Sequence, residues 1–130
     1  MTIELKLLAW TLVLAIVYIL ALDLVRTRQY GAAWNMGARD ATMPPLSPIG
    51  SRLQRAQANL FETLPLFAAA VLIAHLARIH SSATILGCQL YFWGRVLYLP
   101  LYAFGVMGVR SLVWLVSTAG LILILGAILV

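Results

Sequence analysis

The residues best suited to chemistry form a polar stripe inside an otherwise apolar segment. In the stretch RLQRAQANLFE, the polar positions recur every three or four residues, at Arg52, Arg55, Asn59 and Glu62. At 100° per residue, these four side chains fall within an arc of about 80° on one face of a helix. Guanidinium groups bind carboxylates through paired hydrogen bonds, and a shielded carboxylate can hold an ammonium group. The stripe therefore indicates a binding surface for a small charged molecule.

A second polar stripe lies in the next apolar segment. Its members fall within an arc of about 60° by the same arithmetic: Tyr91, Arg95, Tyr98 and Tyr102. Burying a charged side chain in a bilayer costs about 2.5–3.5 kcal/mol, so both stripes should face a partner or a wet cavity rather than lipid. An ion pair of Glu62 with Arg55 or Arg95 would neutralise only one arginine. The surplus of arginines calls for an anionic ligand.

The chemistry of the two stripes suits a thiol that carries carboxylates and an ammonium group. A nearby cation lowers the pKa of a thiol and makes it nucleophilic at neutral pH, and tyrosine hydroxyls can support the thiolate. Glutathione is a molecule of this kind. The single cysteine, Cys88, lies in an apolar run and is expected to pack in the core. Neither an intrachain disulfide nor a metal cluster is indicated.

The composition assigns these stripes to a membrane protein. The 130 residues are 63% hydrophobic and 10% charged, whereas soluble domains are about half apolar and a quarter charged. The net charge of +5 comes from basic residues scattered among apolar runs, which form no basic face. The predicted partner of the apolar surface is therefore the lipid bilayer, and nucleic acid is not expected. The first apolar run is predicted to be a retained helix rather than a cleaved signal peptide.

Four apolar stretches predict one domain, residues 1–130, with spans at about 5–25, 53–78, 83–104 and 110–129. Each is long enough to cross about 30 Å of hydrocarbon as a helix. The loop 26–51 is rich in Gly and Pro and is predicted to be irregular, with Ser51 capping the helix that follows. The connections near 78–82 and 105–109 are short and imply antiparallel neighbours. The expected fold is an all-α, up-down four-helix membrane bundle.

The basic residues predict the orientation of this bundle. Most of them belong to the first loop, to the helix entrance that follows it, or to the third connection: Arg26, Arg28, Arg39, Arg52, Arg55 and Arg110. The other side holds only Lys6 and Arg78. The positive-inside rule then places the first and third loops in the cytoplasm and both termini on the opposite side.

Two short motifs carry a family resemblance. The run Arg55-Ala-Gln57-Ala-Asn59-Leu-Phe-Glu62 fits the pattern R-A-x-x-N-x-x-E, and Arg95, Tyr98 and Tyr102 are followed by Arg110. Both motifs resemble those of the MAPEG family, the membrane-associated proteins of eicosanoid and glutathione metabolism, and in particular its glutathione transferases and eicosanoid synthases. The resemblance covers essentially the whole chain. It implies a homotrimer that binds glutathione between subunits near the cytoplasmic side.

The resemblance also implies residue roles. Arg110 would stabilise the glutathione thiolate, with Ser111 beside it. The expected glutathione-binding residues are Arg26, Arg28, Arg52, Arg55, Gln57, Asn59, Glu62, Arg95, Tyr98 and Tyr102. Of these, Arg95 would support the site, and Arg26 or Arg28 would hold a carboxylate. Thr63 stands where one enzyme of the family has a tyrosine, which weakens any assignment of that enzyme's substrate.

The expected function is a glutathione-dependent membrane transferase, with peroxidase activity as a further expectation. Its second substrate would be a lipophilic electrophile that arrives from the bilayer. One alternative is a non-catalytic lipid-binding or scaffold member of the same family. Another is a small four-span exporter, which would need a carboxylate in the middle of the first helix. Asp23 lies at the end of that helix.

Overall fold

The computed structural model describes residues 1–106 and 108–130, and its regular elements are all helices. The five helices are α1 (Ile3–Tyr30), α2 (Ala32–Met36), α3 (Pro48–Leu76), α4 (Ser82–Ala103) and α5 (Val109–Leu129). No strand occurs within the described residues. The predicted all-α class is therefore confirmed. The predicted third connection includes Met107, which lies outside the described residues.

The helix ends differ from the prediction around the first loop. Helix α1 continues to Tyr30, and the short helix α2 lies in a loop that was predicted to be irregular. Helix α3 begins after Ser47, whose hydroxyl oxygen accepts a hydrogen bond from the backbone N–H of Gly50 at 3.2 Å. The prediction that Ser51 caps this helix is wrong. Pro48 supplies the reason, because its fixed φ angle suits the first position of a helix.

Helices α1, α3, α4 and α5 pack as a bundle in which α3 and α4 each contact both α1 and α5. Successive helices are antiparallel. Glu4 at the start of α1 contacts His80 in the α3–α4 connection, and Arg52 near the start of α3 contacts Ala103 at the end of α4. The predicted up-down topology therefore matches the observed packing.

Three groups of buried side chains form the core along the bundle axis. The first surrounds Phe67 and includes Cys88, which is fully buried as expected. The second surrounds Tyr18 and Leu60, and the third contains Leu22 and Ala103. The polar stripe of α4 passes through the first two of these groups, since Tyr91 belongs to the first and Tyr98 to the second.

Helices α1, α3 and α5 are long and apolar enough to cross a membrane. Helix α4 has 22 residues, about 33 Å, which is enough to span the hydrocarbon. Its most apolar 18-residue stretch is less apolar than those of α1, α3 and α5, because it carries Gln89 and Arg95 as well as tyrosines. These helices indicate an integral membrane protein. The side of the membrane that each loop occupies stays a prediction.

Helices α4 and α5 approach each other most closely at two glycines. A Cβ atom added to Gly120 would lie 2.5 Å from the carbonyl oxygen of Gly87 and 2.8 Å from the backbone nitrogen of Tyr91. Backbone atoms cannot rotate away as a flexible side chain can. Close approach of this kind is a common basis of helix association in membranes, because lipid supplies little hydrophobic drive between helices.

We expect Gly120→Ala to destabilise the bundle, because the added methyl group forces α4 and α5 apart. Overpacking of this kind costs about 1–3 kcal/mol, more than the gain in helix propensity from Gly to Ala. Gly126→Ala is the matched control, since nothing lies within 4 Å of a Cβ at that position of the same helix. Thermal unfolding in detergent, followed by circular dichroism, should show a lower midpoint for the first variant only. Equal midpoints would contradict the contact.

Candidate functional site

A fully buried guanidinium lies at the centre of the site. Arg95 has 0% of its surface exposed. Its Nη1 donates to Oδ1 of Asn59 at 2.7 Å, and its Nη2 donates to the hydroxyl of Thr63 at 3.1 Å. The rings of Tyr98 and Tyr91 lie 5.2 and 5.6 Å from the guanidinium carbon. Arg95 therefore has neutral hydrogen-bond acceptors and aromatic rings around it instead of a carboxylate.

Further contacts fix the surroundings of this guanidinium. The hydroxyl of Tyr18 on α1 donates to the backbone carbonyl of Arg95 at 2.6 Å. The hydroxyls of Thr63 and Tyr91 lie 2.8 Å apart, and Phe67 stacks on the Tyr91 ring with 4.0 Å between centroids. The inner part of the α4 stripe is thus a structural network that joins three helices. Tyr98 and Tyr102 lie farther along the same stripe, beside cavities.

The main basic cavity has a volume of about 240 Å³ and lies between α3, α4 and the start of α5. It is lined by Arg52, Arg55, Tyr102, Gly105 and Arg110. Nε of Arg55 donates to the Tyr102 hydroxyl at 3.1 Å, and the guanidinium carbon of Arg110 lies 4.5 Å from the centroid of the Tyr102 ring. No carboxylate lines this cavity. Three guanidinium groups around one tyrosine create a strong preference for an anion.

Gly105 leaves room for the side chain of Arg52 at the wall of the basic cavity. Its φ angle is +70°, in the left-handed region that favours glycine, and an added Cβ would lie 3.1 Å from Cζ of Arg52. Nη1 of Arg52 donates to the carbonyl oxygen of Ala103 at 3.2 Å. The end of α4 and the turn after it therefore hold the guanidinium of Arg52 at the cavity wall.

A second cavity, of about 190 Å³, shares Arg110 with the first. Its other lining residues are Asn59, Tyr98, Ser111 and Trp114. Nε1 of Trp114 is shielded and has no hydrogen-bond partner within the described residues. Arg110 thus borders two cavities, one basic and one with neutral hydrogen-bonding groups. A ligand that extends from one into the other would pass its guanidinium.

The structure does not bring every predicted site residue to these two cavities. Arg26 lies 3.8 Å from Asp23 and lines a separate loop cavity of about 480 Å³, and Arg28 is exposed. Gln57 and Glu62 line neither cavity. The side-chain oxygen of Gln57 is shielded without a partner in the described part of the chain.

Glu62 is an exposed carboxylate at the midpoint of α3. Within residues 1–106 and 108–130 it has no ion-pair partner, so the alternative in which it neutralises Arg55 or Arg95 is not realised. The exporter alternative also lacks its key group, because the acidic residues of α1, Glu4 and Asp23, lie toward its two ends. The surplus positive charge of the site therefore remains available for a ligand.

Several residues around the site were not predicted from the sequence, among them Tyr18, Thr63, Gly105 and Trp114. Tyr18 supports Arg95 from α1, and the available signal was a single phenol in an otherwise apolar span. Trp114 lines the second cavity, and its position four residues after Arg110 places it on the same helical face. In both Tyr18 and Trp114 the available signal was a polar atom, a hydroxyl or an indole N–H, in an otherwise apolar helix.

Together, the fold and the cavities define an α-helical membrane protein with a cationic site at one end of its bundle. The model of the MAPEG family matches residues 7–130, nearly the whole chain. The chain belongs to the MAPEG family. Comparison with curated proteins and with solved structures gave no match. Membership of this family supports a membrane protein of glutathione or eicosanoid metabolism.

We expect Arg95→Gln to destabilise the protein more than Arg55→Gln. The first change removes a buried group that donates to both Asn59 and Thr63, whereas Arg55 is exposed. Loss of hydrogen bonds to a charged group corresponds to about 1.5–3 kcal/mol. Thermal unfolding of both variants in the same detergent gives the comparison. Similar midpoints would show that the network around Arg95 does not hold the bundle together.

Proposed function

We propose that the protein is a glutathione-dependent membrane transferase that conjugates lipophilic electrophiles. The observation that carries this proposal is the basic cavity, in which Arg52, Arg55 and Arg110 surround Tyr102 without a lining carboxylate. Glutathione carries two carboxylates and a thiol, so it supplies the negative charge that such a cavity requires. Family membership supports the same class of ligand.

The two cavities suggest how the peptide is held. Arg52 and Arg55 bind a carboxylate of glutathione through their guanidinium groups, and Tyr102 donates a further hydrogen bond. Arg26 or Arg28, at the end of α1, binds the second carboxylate. The exposed Glu62 binds the ammonium group, with Gln57 and Asn59 completing the polar contacts. In this arrangement, Arg95 positions Asn59 through the hydrogen bond of 2.7 Å rather than touching the ligand.

Arg110 is the proposed catalytic residue. It borders both cavities, and its guanidinium is held over the Tyr102 ring. A positive charge beside the glutathione sulfur stabilises the thiolate relative to the thiol and so raises the concentration of the nucleophile. Ser111 lies beside the sulfur in the second cavity, where its hydroxyl donates a hydrogen bond to the thiolate. Tyr98 lines the same cavity.

The reaction follows from this arrangement. The thiolate attacks an electrophilic carbon of the second substrate and forms a carbon–sulfur bond, while the leaving group departs with its electron pair and takes a proton from water. With a lipid hydroperoxide the thiolate attacks oxygen instead, and a second glutathione completes the reduction to an alcohol, water and glutathione disulfide. The exposed apolar helices favour a substrate that enters from the lipid.

A homotrimer is the proposed active assembly. A carboxylate left in lipid costs about 2.5–3.5 kcal/mol, and Glu62 is exposed at the midpoint of a helix long and apolar enough to span the membrane. A neighbouring copy of the chain would cover this position and close the outer side of the glutathione site. The part of the ligand bound at Glu62 would then lie between adjacent subunits.

We expect Arg110→Gln to abolish thiolate formation while leaving much of the glutathione binding intact, because Arg52 and Arg55 remain. The ultraviolet absorbance of the thiolate, recorded on adding glutathione to purified protein, measures the first effect, and calorimetry measures the second. Lys6→Gln is the control, since Lys6 is exposed near the opposite end of the bundle and lines neither cavity. If the unaltered protein shows neither thiolate absorbance nor conjugation of a generic electrophile, the transferase proposal fails and the non-catalytic lipid-binding alternative gains support.

We expect Glu62→Gln to weaken glutathione binding about tenfold, because it removes one charge-assisted hydrogen bond to the ammonium group. Asp40→Asn provides the control, since Asp40 is an exposed loop carboxylate. Calorimetry gives the affinities, and native mass spectrometry checks that both variants keep a mass of three chains. An unchanged affinity in Glu62→Gln would remove this residue from the proposed site.

A further inference from the structure

Another polar cavity, separate from those described above, lies at the opposite end of the bundle from the basic cavity. Its volume is about 310 Å³, and its polar lining consists of Thr2, Glu4, His75, Arg78 and His80. Val71, Ala74 and Ile79 form an apolar wall. The start of α1, the end of α3 and the connection to α4 therefore meet around this cavity. None of these residues contributes to the proposed glutathione site.

Glu4 is a buried carboxylate whose hydrogen bonding is incomplete. Only 5% of the residue is exposed. Its Oε2 lies 2.5 Å from Nδ1 of His80 and accepts a hydrogen bond from the Thr84 hydroxyl at 3.3 Å. Its Oε1 is shielded and has no partner in the described residues. A buried acceptor left unpaired costs about 1–3 kcal/mol or more when it is charged, so this oxygen calls for a donor.

Arg78 supplies a positive charge in the same cavity. Its φ angle is 59°, in the left-handed region that glycine normally occupies at the end of a helix. This conformation closes the end of α3, since the backbone N–H of Ile79 donates to the carbonyl oxygen of Ala74 at 2.8 Å. Arg78 is exposed and has no ion-pair partner in the part of the chain that the structure describes. The cavity therefore offers both an unpaired carboxylate oxygen and an unpaired guanidinium.

A ligand with one primary ammonium and one phosphate satisfies both groups. A primary ammonium carries three N–H donors for the carboxylate of Glu4, and a phosphate accepts hydrogen bonds from Arg78 and His75. A metal ion is a poorer match, because the described residues contain no cluster of three or more His, Cys, Asp or Glu side chains able to hold one. The required chemistry is that of a phosphoethanolamine group.

The surroundings favour a lipid as the source of this group. The cavity lies at the end of helices that are apolar enough to span a membrane, and Val71, Ala74 and Ile79 give it an apolar wall. An acyl chain can lie along this surface while the headgroup occupies the cavity. We propose that this end of the bundle binds an aminophospholipid of the phosphatidylethanolamine class, with its ammonium on Glu4 and its phosphate on Arg78.

The side chain of His80 forms the outer wall of the proposed site and must rotate for the lipid headgroup to bind. Its side chain is 55% exposed, and it covers the carboxylate of Glu4 from the outside. The ammonium takes the place of the imidazole when His80 rotates outward. Removing the imidazole should therefore leave binding intact or strengthen it, whereas removing the charge of Glu4 should abolish the preference for the ammonium.

The experiment uses the full-length protein reconstituted into vesicles of equal parts phosphatidylethanolamine, phosphatidylglycerol and phosphatidylcholine with identical acyl chains. Native mass spectrometry after mild detergent extraction then identifies the retained lipid. We expect phosphatidylethanolamine to be enriched about tenfold over each of the others, as one charge-assisted hydrogen bond predicts. Glu4→Gln and Arg78→Gln should remove the enrichment, and His80→Ala should keep it. Lys6→Gln is the control, because Lys6 is exposed on the same turn of α1 and does not line the cavity.

Each other outcome would overturn the proposal. Equal retention of phosphatidylglycerol would show that the cavity recognises only a phosphate, and equal retention of phosphatidylcholine would show ordinary surrounding lipid. Binding of soluble phosphoethanolamine as tightly as the lipid would exclude the acyl contact. Because Arg78 is exposed, Arg78→Gln keeps the test valid if Glu4→Gln fails to fold, and enrichment that survives in Arg78→Gln would refute the site. Glutathione binding, at the opposite end of the bundle, serves as the independent check on each folded variant.

Discussion

The guanidinium of Arg95 is buried without a carboxylate, and the geometry of the surrounding helices follows from the need to satisfy it. An isolated charge in an apolar interior is so costly that its donors must find acceptors and its positive charge must find polarisable neighbours. Asn59 and Thr63 on α3 provide the acceptors, Tyr91 and Tyr98 on α4 provide the rings, and Tyr18 fixes the backbone from α1. These contacts fix the register between α3 and α4. Since Tyr98 belongs to the network and also lines a cavity, the same interaction holds the wall of the candidate site.

The other arginines of the candidate site line cavities, whereas Arg95 is fully buried. Arg52, Arg55 and Arg110 contact only carbonyl and tyrosine groups, so their charges are not neutralised within the described part of the chain. Glu62 is unpaired on the outer face of α3, where a second copy could cover it. The guanidinium of Arg95 thus has partners for both terminal nitrogens but none for Nε in the described residues, whereas the carboxylate of Glu62 at the edge of the protomer has no ion-pair partner there.

Helical spacing predicted a large part of the site but not the partners of its residues. The spacing placed Arg52, Arg55, Asn59 and Glu62 on one face because periodicity depends on one helix alone. Which of them is buried depends on where the next helix crosses, and no pattern in α3 reveals that α4 covers Asn59 and leaves Glu62 exposed. The start of α3 was misplaced for a similar reason. Ser47 and Ser51 are both acceptable caps, and the helical fit of Pro48 decides between them.

The close contact between Gly87 and Gly120 has a consequence for how the chain enters the bilayer. The most apolar 18-residue stretch of α4 is less apolar than those of α1, α3 and α5, and its buried guanidinium finds its hydrogen-bond acceptors only when α3 packs against it. Helix α5 is among the most apolar segments, follows α4 after a short connection, and meets it backbone to backbone at these glycines. The two helices can therefore be inserted as a single hairpin, in which the favourable transfer of α5 offsets the unfavourable transfer of α4. Biogenesis, and not only the final packing, then depends on keeping those two positions without side chains.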